Sequence, residues 1–129
     1  MSYTIYVVED HAVMREAYAS VFALEDDLDL IGSAGSAEEA FEALVGNGDP
    51  PCDLVVTDYR LPGMTGADLV RRLRARFPTL CALVVSGYED EAFAREARDA
   101  GAAAFLRKRD LIQTLVPTIH DVLNSRVAV

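Results

Sequence analysis

Five short apolar runs alternate along this chain with five stretches whose apolar residues recur at helical spacing. The runs are Thr4–Val8, Leu28–Ala34, Leu54–Thr57, Leu80–Val85 and Ala103–Leu106. Continuous rather than alternating hydrophobicity marks strands buried on both faces, as in a parallel sheet covered by helices. Val13, Met14, Ala17, Tyr18, Val21 and Leu24 form the stripe of a first helix over about 12–24. Ser36 and Glu39 make a capping box for a second, with Phe41, Leu44 and Val45 inward. Gly46-Asn47-Gly48 ends it through a left-handed cap. Thr65 or Gly66 caps a third helix with Leu69, Val70, Leu73 and Phe77 inward, and Pro78 stops it. Asp90 opens a fourth helix and Gly101 closes it. Asp110 caps a last one with Leu111, Ile112, Leu115, Val116, Ile119, Val122 and Leu123 facing in. Pro117 falls inside this last pattern, where proline costs about 3 kcal/mol. It predicts a kink near Gln113, or else a short turn followed by a new helix with Pro117 in its first turn. Alternation of this kind predicts a doubly wound α/β fold with right-handed crossovers.

With 129 residues and 51% hydrophobic content, residues 1–129 are expected to form one domain around one core system. No apolar run approaches the roughly 18 residues of a membrane span, and no basic segment precedes the first strand, so a cytoplasmic location is expected. Cys52 and Cys81 lack metal spacing and read as reduced thiols. A net charge of −9 argues against nucleic-acid binding by this chain. Arg71, Arg72, Arg74 and Arg76 read as the solvated face of the third helix.

The chemistry gathers where the runs end. Glu9-Asp10 follows the first run, Asp58 ends the third, Ser86 ends the fourth and Lys108 follows the fifth. In a parallel sheet these positions share the carboxyl edge, where open α/β sheets bind ligands. Taken singly, Ser86 is a turn residue, Lys108 a solvated charge and Glu9-Asp10 a helix start. Together they are a constellation. Three neighbouring carboxylates repel unless they share protons or a cation. All-oxygen ligation selects a hard ion, and Mg²⁺ takes one or two carboxylates plus a phosphate oxygen.

The set resembles the receiver domain of two-component response regulators across nearly the whole chain. The resemblance rests on Glu9-Asp10, on Asp58 followed by Leu61-Pro62-Gly63-Met64-Thr65-Gly66, on Ser86-Gly87, and on Gly101-Ala102 through Phe105-Leu106 to Lys108. It implies a CheY-like, flavodoxin-like (βα)5 fold with sheet order 2-1-3-4-5. It further implies that Asp58 accepts a phosphoryl group from a sensor histidine kinase or phosphotransfer protein. Asp10, Glu9, Asp58 and the backbone carbonyl of Arg60 would hold Mg²⁺. Ser86 and Lys108 would contact the phosphoryl group, while Phe105 swings inward behind Ser86. The surface of helix 4, strand 5 and helix 5 would then change for a downstream effector, with homodimerisation on phosphorylation also implied. Asp10-His11 with Arg15 resembles the NarL and FixJ branch, whose receivers precede a LuxR-type helix-turn-helix. The chain ends short of such a domain, which leaves an isolated receiver or a stand-alone regulator.

Two departures stand out. Most receivers follow the site lysine with a cis proline, but here Arg109 follows, and a cis bond without proline costs about 2.5–4 kcal/mol. A trans bond and a different loop shape are therefore expected. Arg60 and Tyr88 are bulky at the two positions flanking the phosphoryl site, which predicts slow autodephosphorylation. Rival readings fare worse. A haloacid-dehalogenase-type phosphatase needs a second Asp where Arg60 stands. A flavodoxin-like flavin binder needs a phosphate cradle where Glu9-Asp10 would repel it. The remaining alternative is a pseudo-receiver serving as an unphosphorylated interaction module.

Overall fold

The computed structural model describes residues 2–87 and 91–127. The expectations for Tyr88, and for Asp90 as the start of the fourth helix, fall outside these residues. The elements run β1 (Tyr3–Val8), α1 (Ala12–Ala23), β2 (Leu28–Ala34), α2 (Ala37–Val45), β3 (Leu54–Asp58), α3 (Gly66–Arg76), β4 (Cys81–Ser86), α4 (Glu91–Ala100), β5 (Ala104–Arg107) and α5 (Leu111–Val127), with a 3₁₀ turn at Lys108–Asp110 before the last helix. All strand pairs are parallel, and the sheet order is β2-β1-β3-β4-β5. The predicted doubly wound, flavodoxin-like (βα)5 architecture is the one observed.

Alternate residues of each central strand serve opposite layers, because successive side chains leave a strand on opposite faces. Ile5, Val7, Leu54, Val56, Leu83 and Val85 pack with Tyr18 and Phe22 of α1 and Leu111, Leu115, Ile119 and Leu123 of α5. Tyr6, Val8 and Val55 face α2 and α3, while Ala82 and Val84 face α3 and α4. Burial on both sides explains why β1, β3 and β4 read as unbroken apolar runs. β2, at the edge, alternates instead, and its pairing with β1 slips between Ile5 and Tyr6.

Several stripes are narrower than their spacing suggested. On α1, Val13 and Leu24 are 77% and 83% exposed, Ala17 is also exposed, and Phe22 supplies the burial instead. On α5, Ile112 is 87% exposed, so it does not belong to the inward face. Val45 of α2 and Ile31 of β2 are exposed too, and Ala37 and Ala40 join Leu44 in the stripe that α2 buries. The cap of α2 also differs. Gly46 has φ −84° and the positive φ belongs to Gly48, outside the helix end. Helix α5 runs unbroken from Leu111 through Pro117, so the alternative of a new helix with Pro117 in its first turn is not adopted. Among the described residues the cis bond is Asp49–Pro50, and Lys108–Arg109 is trans, as its lack of proline predicted.

Candidate functional site

Four parallel strands deliver their ends to one edge. Glu9, Asp10 and His11 leave β1, Asp58 closes β3, Ser86 closes β4, and Lys108 follows β5. Asp10, His11, Asp58, Arg60, Ser86, Gly87 and Lys108 line a pocket of about 250 Å³ at this edge. A larger groove of about 530 Å³ adjoins it between Arg60, Met64, Asp68 and Phe93, with no acidic cluster of its own beyond Asp68.

The loop after Asp58 is fixed by its sequence. Thr65 caps α3 by accepting from the Asp68 amide at 3.1 Å, and Arg60 pairs with Thr65 in an isolated antiparallel bridge. The Gly66 amide donates to the Tyr59 carbonyl at 2.7 Å. A β-carbon on Gly66 would collide with the Asp58 backbone carbonyl, so glycine lets the start of α3 close over the strand end. The Tyr59 hydroxyl donates to Glu96 at 2.5 Å while its ring stacks on Phe93, 4.2 Å between centroids. That pair ties the residue after Asp58 to α4.

Lys108 is the centre of the charge arrangement. Its Nζ donates to Asp58 Oδ2 at 3.1 Å and lies 3.2 Å from Glu9 Oε1. Glu9 is fully buried. Its Oε2 accepts from the His11 amide at 3.1 Å and lies 3.1 Å from His11 Nδ1, and the Arg15 guanidinium donates to its carbonyl at 2.6 Å. His11 Nδ1 is also 3.3 Å from Asp10 Oδ1.

The two buried carboxylates respond in opposite directions. Burial alone would push Glu9 up, but the His11 amide and the Lys108 ammonium outweigh it and hold the carboxyl below its usual range. Asp58 is pushed up, first by burial and then by the charge of Glu9, with Lys108 opposing both. Burial pulls Lys108 down, but Asp58 and then Glu9 raise it on balance, so it stays a firm cation.

The donors suit a hard divalent ion. Glu9 Oε1 is buried and lacks a hydrogen bond, although Lys108 faces it as an ion-pair partner. Asp10 and Asp58 open onto the same pocket as Arg60. A cation there would offset the charge that pushes Asp58 up, and the set is oxygen-rich as Mg²⁺ requires. The structure brings Asp10, Asp58, Arg60, Ser86 and Lys108 together around one space. Glu9 does not line that space but reaches it through its contact with Lys108. Phe105 stands apart from the pocket, half-buried against the α3–α4 layer. His11 is the site residue that the chemical reading missed, since it entered only through its resemblance to one branch of receivers. Its position next to the acidic pair was the available signal.

The profile of the response regulator receiver domain matches residues 5–120. The transcriptional regulatory protein UhpA of Salmonella typhimurium is 31% identical over 92% of this chain and 58% of its own length. The DNA-binding transcriptional activator DevR/DosR of Mycobacterium tuberculosis is 33% identical over 92% of this chain and 53% of its own. The chain thus spans a little over half the length of these curated relatives. A LuxR-family two-component response regulator from Aurantimonas superposes with a TM-score of 0.90 at 28% identity, covering 98% of this chain and 88% of the other. The signal receiver domain of the putative response regulator NarL from Mycobacterium tuberculosis gives 0.86 at 26%, covering 95% and 97%. With profile, relatives and fold in agreement over nearly its full length, the chain belongs to the response regulator receiver domain family.

Proposed function

We propose that this receiver is a phosphoacceptor in a two-component relay, with Asp58 as the nucleophile. The observation that carries the reading is the placement of Asp58, 5% exposed at the floor of the pocket and joined to Lys108 at 3.1 Å. A carboxylate oxygen of Asp58 attacks the phosphorus of a phosphohistidine on a sensor kinase or phosphotransfer protein. The P–N bond breaks, and the donor imidazole leaves with its electron pair and takes up a proton. Lys108 turns from Asp58 toward the phosphoryl oxygens, and the Ser86 hydroxyl donates to another. Asp10 and Asp58, with Glu9 behind them and the Arg60 carbonyl, would hold Mg²⁺. The bound ion supplies charge neutralisation for the phosphoryl oxygens.

Ser86 stands directly before the β4–α4 loop, and Phe105 lies on the neighbouring strand, with Val84 and Phe105 in register. Movement of the Ser86 hydroxyl toward the phosphoryl group opens space for the Phe105 ring, which packs against the buried cluster between the sheet, α3 and α4. The surface of α4, β5 and α5 changes with it and is read by an effector domain or protein, or by a second copy of the chain.

The test is intact-mass spectrometry after incubation with acetyl phosphate and Mg²⁺. One added phosphoryl group is expected, and Asp58→Asn should abolish it. An unchanged adduct in that variant ends the assignment, and no adduct in the wild type favours the pseudo-receiver.

The lifetime of the adduct depends on water reaching phosphorus in line with the departing Asp58 oxygen. Arg60 lines the pocket mouth, and its guanidinium lies 5.6 Å from the centroid of the Phe93 ring. Its long stem stands beside the approach and favours slow autodephosphorylation. Decay of loaded protein, with Mg²⁺ kept and donor removed, should accelerate when Arg60→Asn is combined with Tyr88→Ala. Equal or slower decay would show that these side chains do not shield the adduct.

A further inference from the structure

At the opposite edge of the sheet, three side chains of kinds that can ligate a metal meet between elements far apart in sequence. Glu25 and Asp27 belong to the loop between α1 and β2, and His120 sits midway along α5 between the buried Ile119 and the partly buried Val122. One ligand atom from each lies within 4.8 Å of the others, and all three residues are half-buried. His120 Nε2 is 2.9 Å from Asp27 Oδ2, a contact across 93 residues of sequence.

An ordinary ion pair between His120 and Asp27 would need only those two groups. Glu25 brings a second carboxylate to the same spot, and among the described residues no hydrogen bond or ion pair compensates it. Two carboxylates beside a single imidazole leave net negative charge that a bound cation removes. The loop is held in place to receive one: the Tyr3 amide donates to the Asp27 carbonyl at 2.8 Å, and the Glu25 amide to Phe22 at 3.0 Å.

We propose that Glu25, Asp27 and His120 form a second metal site, separate from the phosphoacceptor pocket and selective for a borderline divalent ion of the Zn²⁺ class. One imidazole nitrogen and two carboxylate oxygens provide three protein ligands and leave a fourth tetrahedral position to water. The imidazole sets the preference, since Mg²⁺ favours oxygen ligands alone whereas imidazole suits Zn²⁺. Binding displaces the His120–Asp27 contact with two stronger bonds to one ion. It fastens the entrance of β2 to the middle of α5, so occupancy stiffens a helix that flanks the sheet on the α1 side.

The chain has two histidines, and each belongs to one acidic cluster, His11 to the pocket and His120 to this site. Imidazole ¹H–¹⁵N spectra of the whole chain therefore read both places in one Zn²⁺ titration. The ring resonances of His120 should shift or broaden with Zn²⁺ and stay fixed with Mg²⁺. Glu25→Gln should weaken the response at His120 by about tenfold or more, since even the outer partners of metal ligands are worth that much. The response at His11 should be unchanged. A His120 signal indifferent to Zn²⁺ overturns the proposal, as does an identical midpoint in Glu25→Gln, which would mean that His120 takes the ion alone.

Discussion

At the scale of single residues, the unequal treatment of Glu9 and Asp58 has a measurable result. A carboxyl raised in the folded state stabilises the fold fully below its unfolded pKa, and this contribution is lost as pH rises through the folded value. Asp58 is raised by burial and by Glu9, so at neutral pH its charge is a net cost to the fold. Asp58→Asn should therefore melt a few degrees above the wild type at pH 7 without Mg²⁺, and the gap should close as pH falls toward the carboxylate range. Thermal melts across pH 4–7 decide it; a variant less stable at pH 7 would show that the contact with Lys108 outweighs the burial. The residues of this site were legible because each ends a strand, and a strand end in a parallel sheet has a known position. Their division of labour was not. Nothing in Glu9-Asp10-His11 tells which carboxylate is buried and which opens into the pocket, because that depends on the His11 amide and the Lys108 ammonium closing on the Glu9 carboxylate.

Among the elements, the strand-to-helix connection after Asp58 is the most tightly specified. Gly66 lies against the Asp58 carbonyl with no room for a β-carbon, and its amide is bonded to Tyr59. Gly66→Ala must push α3 away from the strand end or distort the bridge between Arg60 and Thr65, at a cost of about 3 kcal/mol by comparison with overpacked cores. Urea unfolding should show this loss, and acetyl phosphate labelling of the folded variant should slow. A loss below about 1 kcal/mol would mean that the loop relaxes without strain. The central strands β1, β3 and β4 were read well from sequence, since burial on both faces leaves few places for a polar residue. Helical stripes were read less well. Val13, Leu24, Val45 and Ile112 fit the period of their helices yet face solvent, because spacing gives a face but not the width that the neighbouring layer covers. On α5 the sheet takes the ridge from Leu111 through Leu115, Ile119 and Leu123, and Ile112 falls beyond its edge.

Over the whole molecule, the pocket is assembled from the ends of β1, β3 and β4 and the turn after β5, so an ion held there is linked to the integrity of the entire sheet. A ligand that binds only the folded chain stabilises it by RT ln(1 + [L]/Kd), about 2.7 kcal/mol at 100 times Kd. Mg²⁺ at that excess should raise the melting temperature by roughly 5–15 °C for a domain of this size. The effect should be larger than screening alone would give, because the ion neutralises carboxylates that face one pocket rather than relieving the net charge of −9 uniformly. Asp10→Ala removes a carboxylate that the proposed Mg²⁺ site would use while leaving Glu9, Asp58 and Lys108 in contact, so it should abolish most of the Mg²⁺ shift without unfolding the protein. Glu25→Gln, at the far edge, should leave the Mg²⁺ shift intact and diminish the one produced by Zn²⁺. Differential scanning fluorimetry of the three proteins with each ion separates the two edges. A Mg²⁺ shift equal in wild type and Asp10→Ala, and matched by the same ionic strength of NaCl, would mean that the ion acts only by screening. The acidic pair would then be no more than the start of α1.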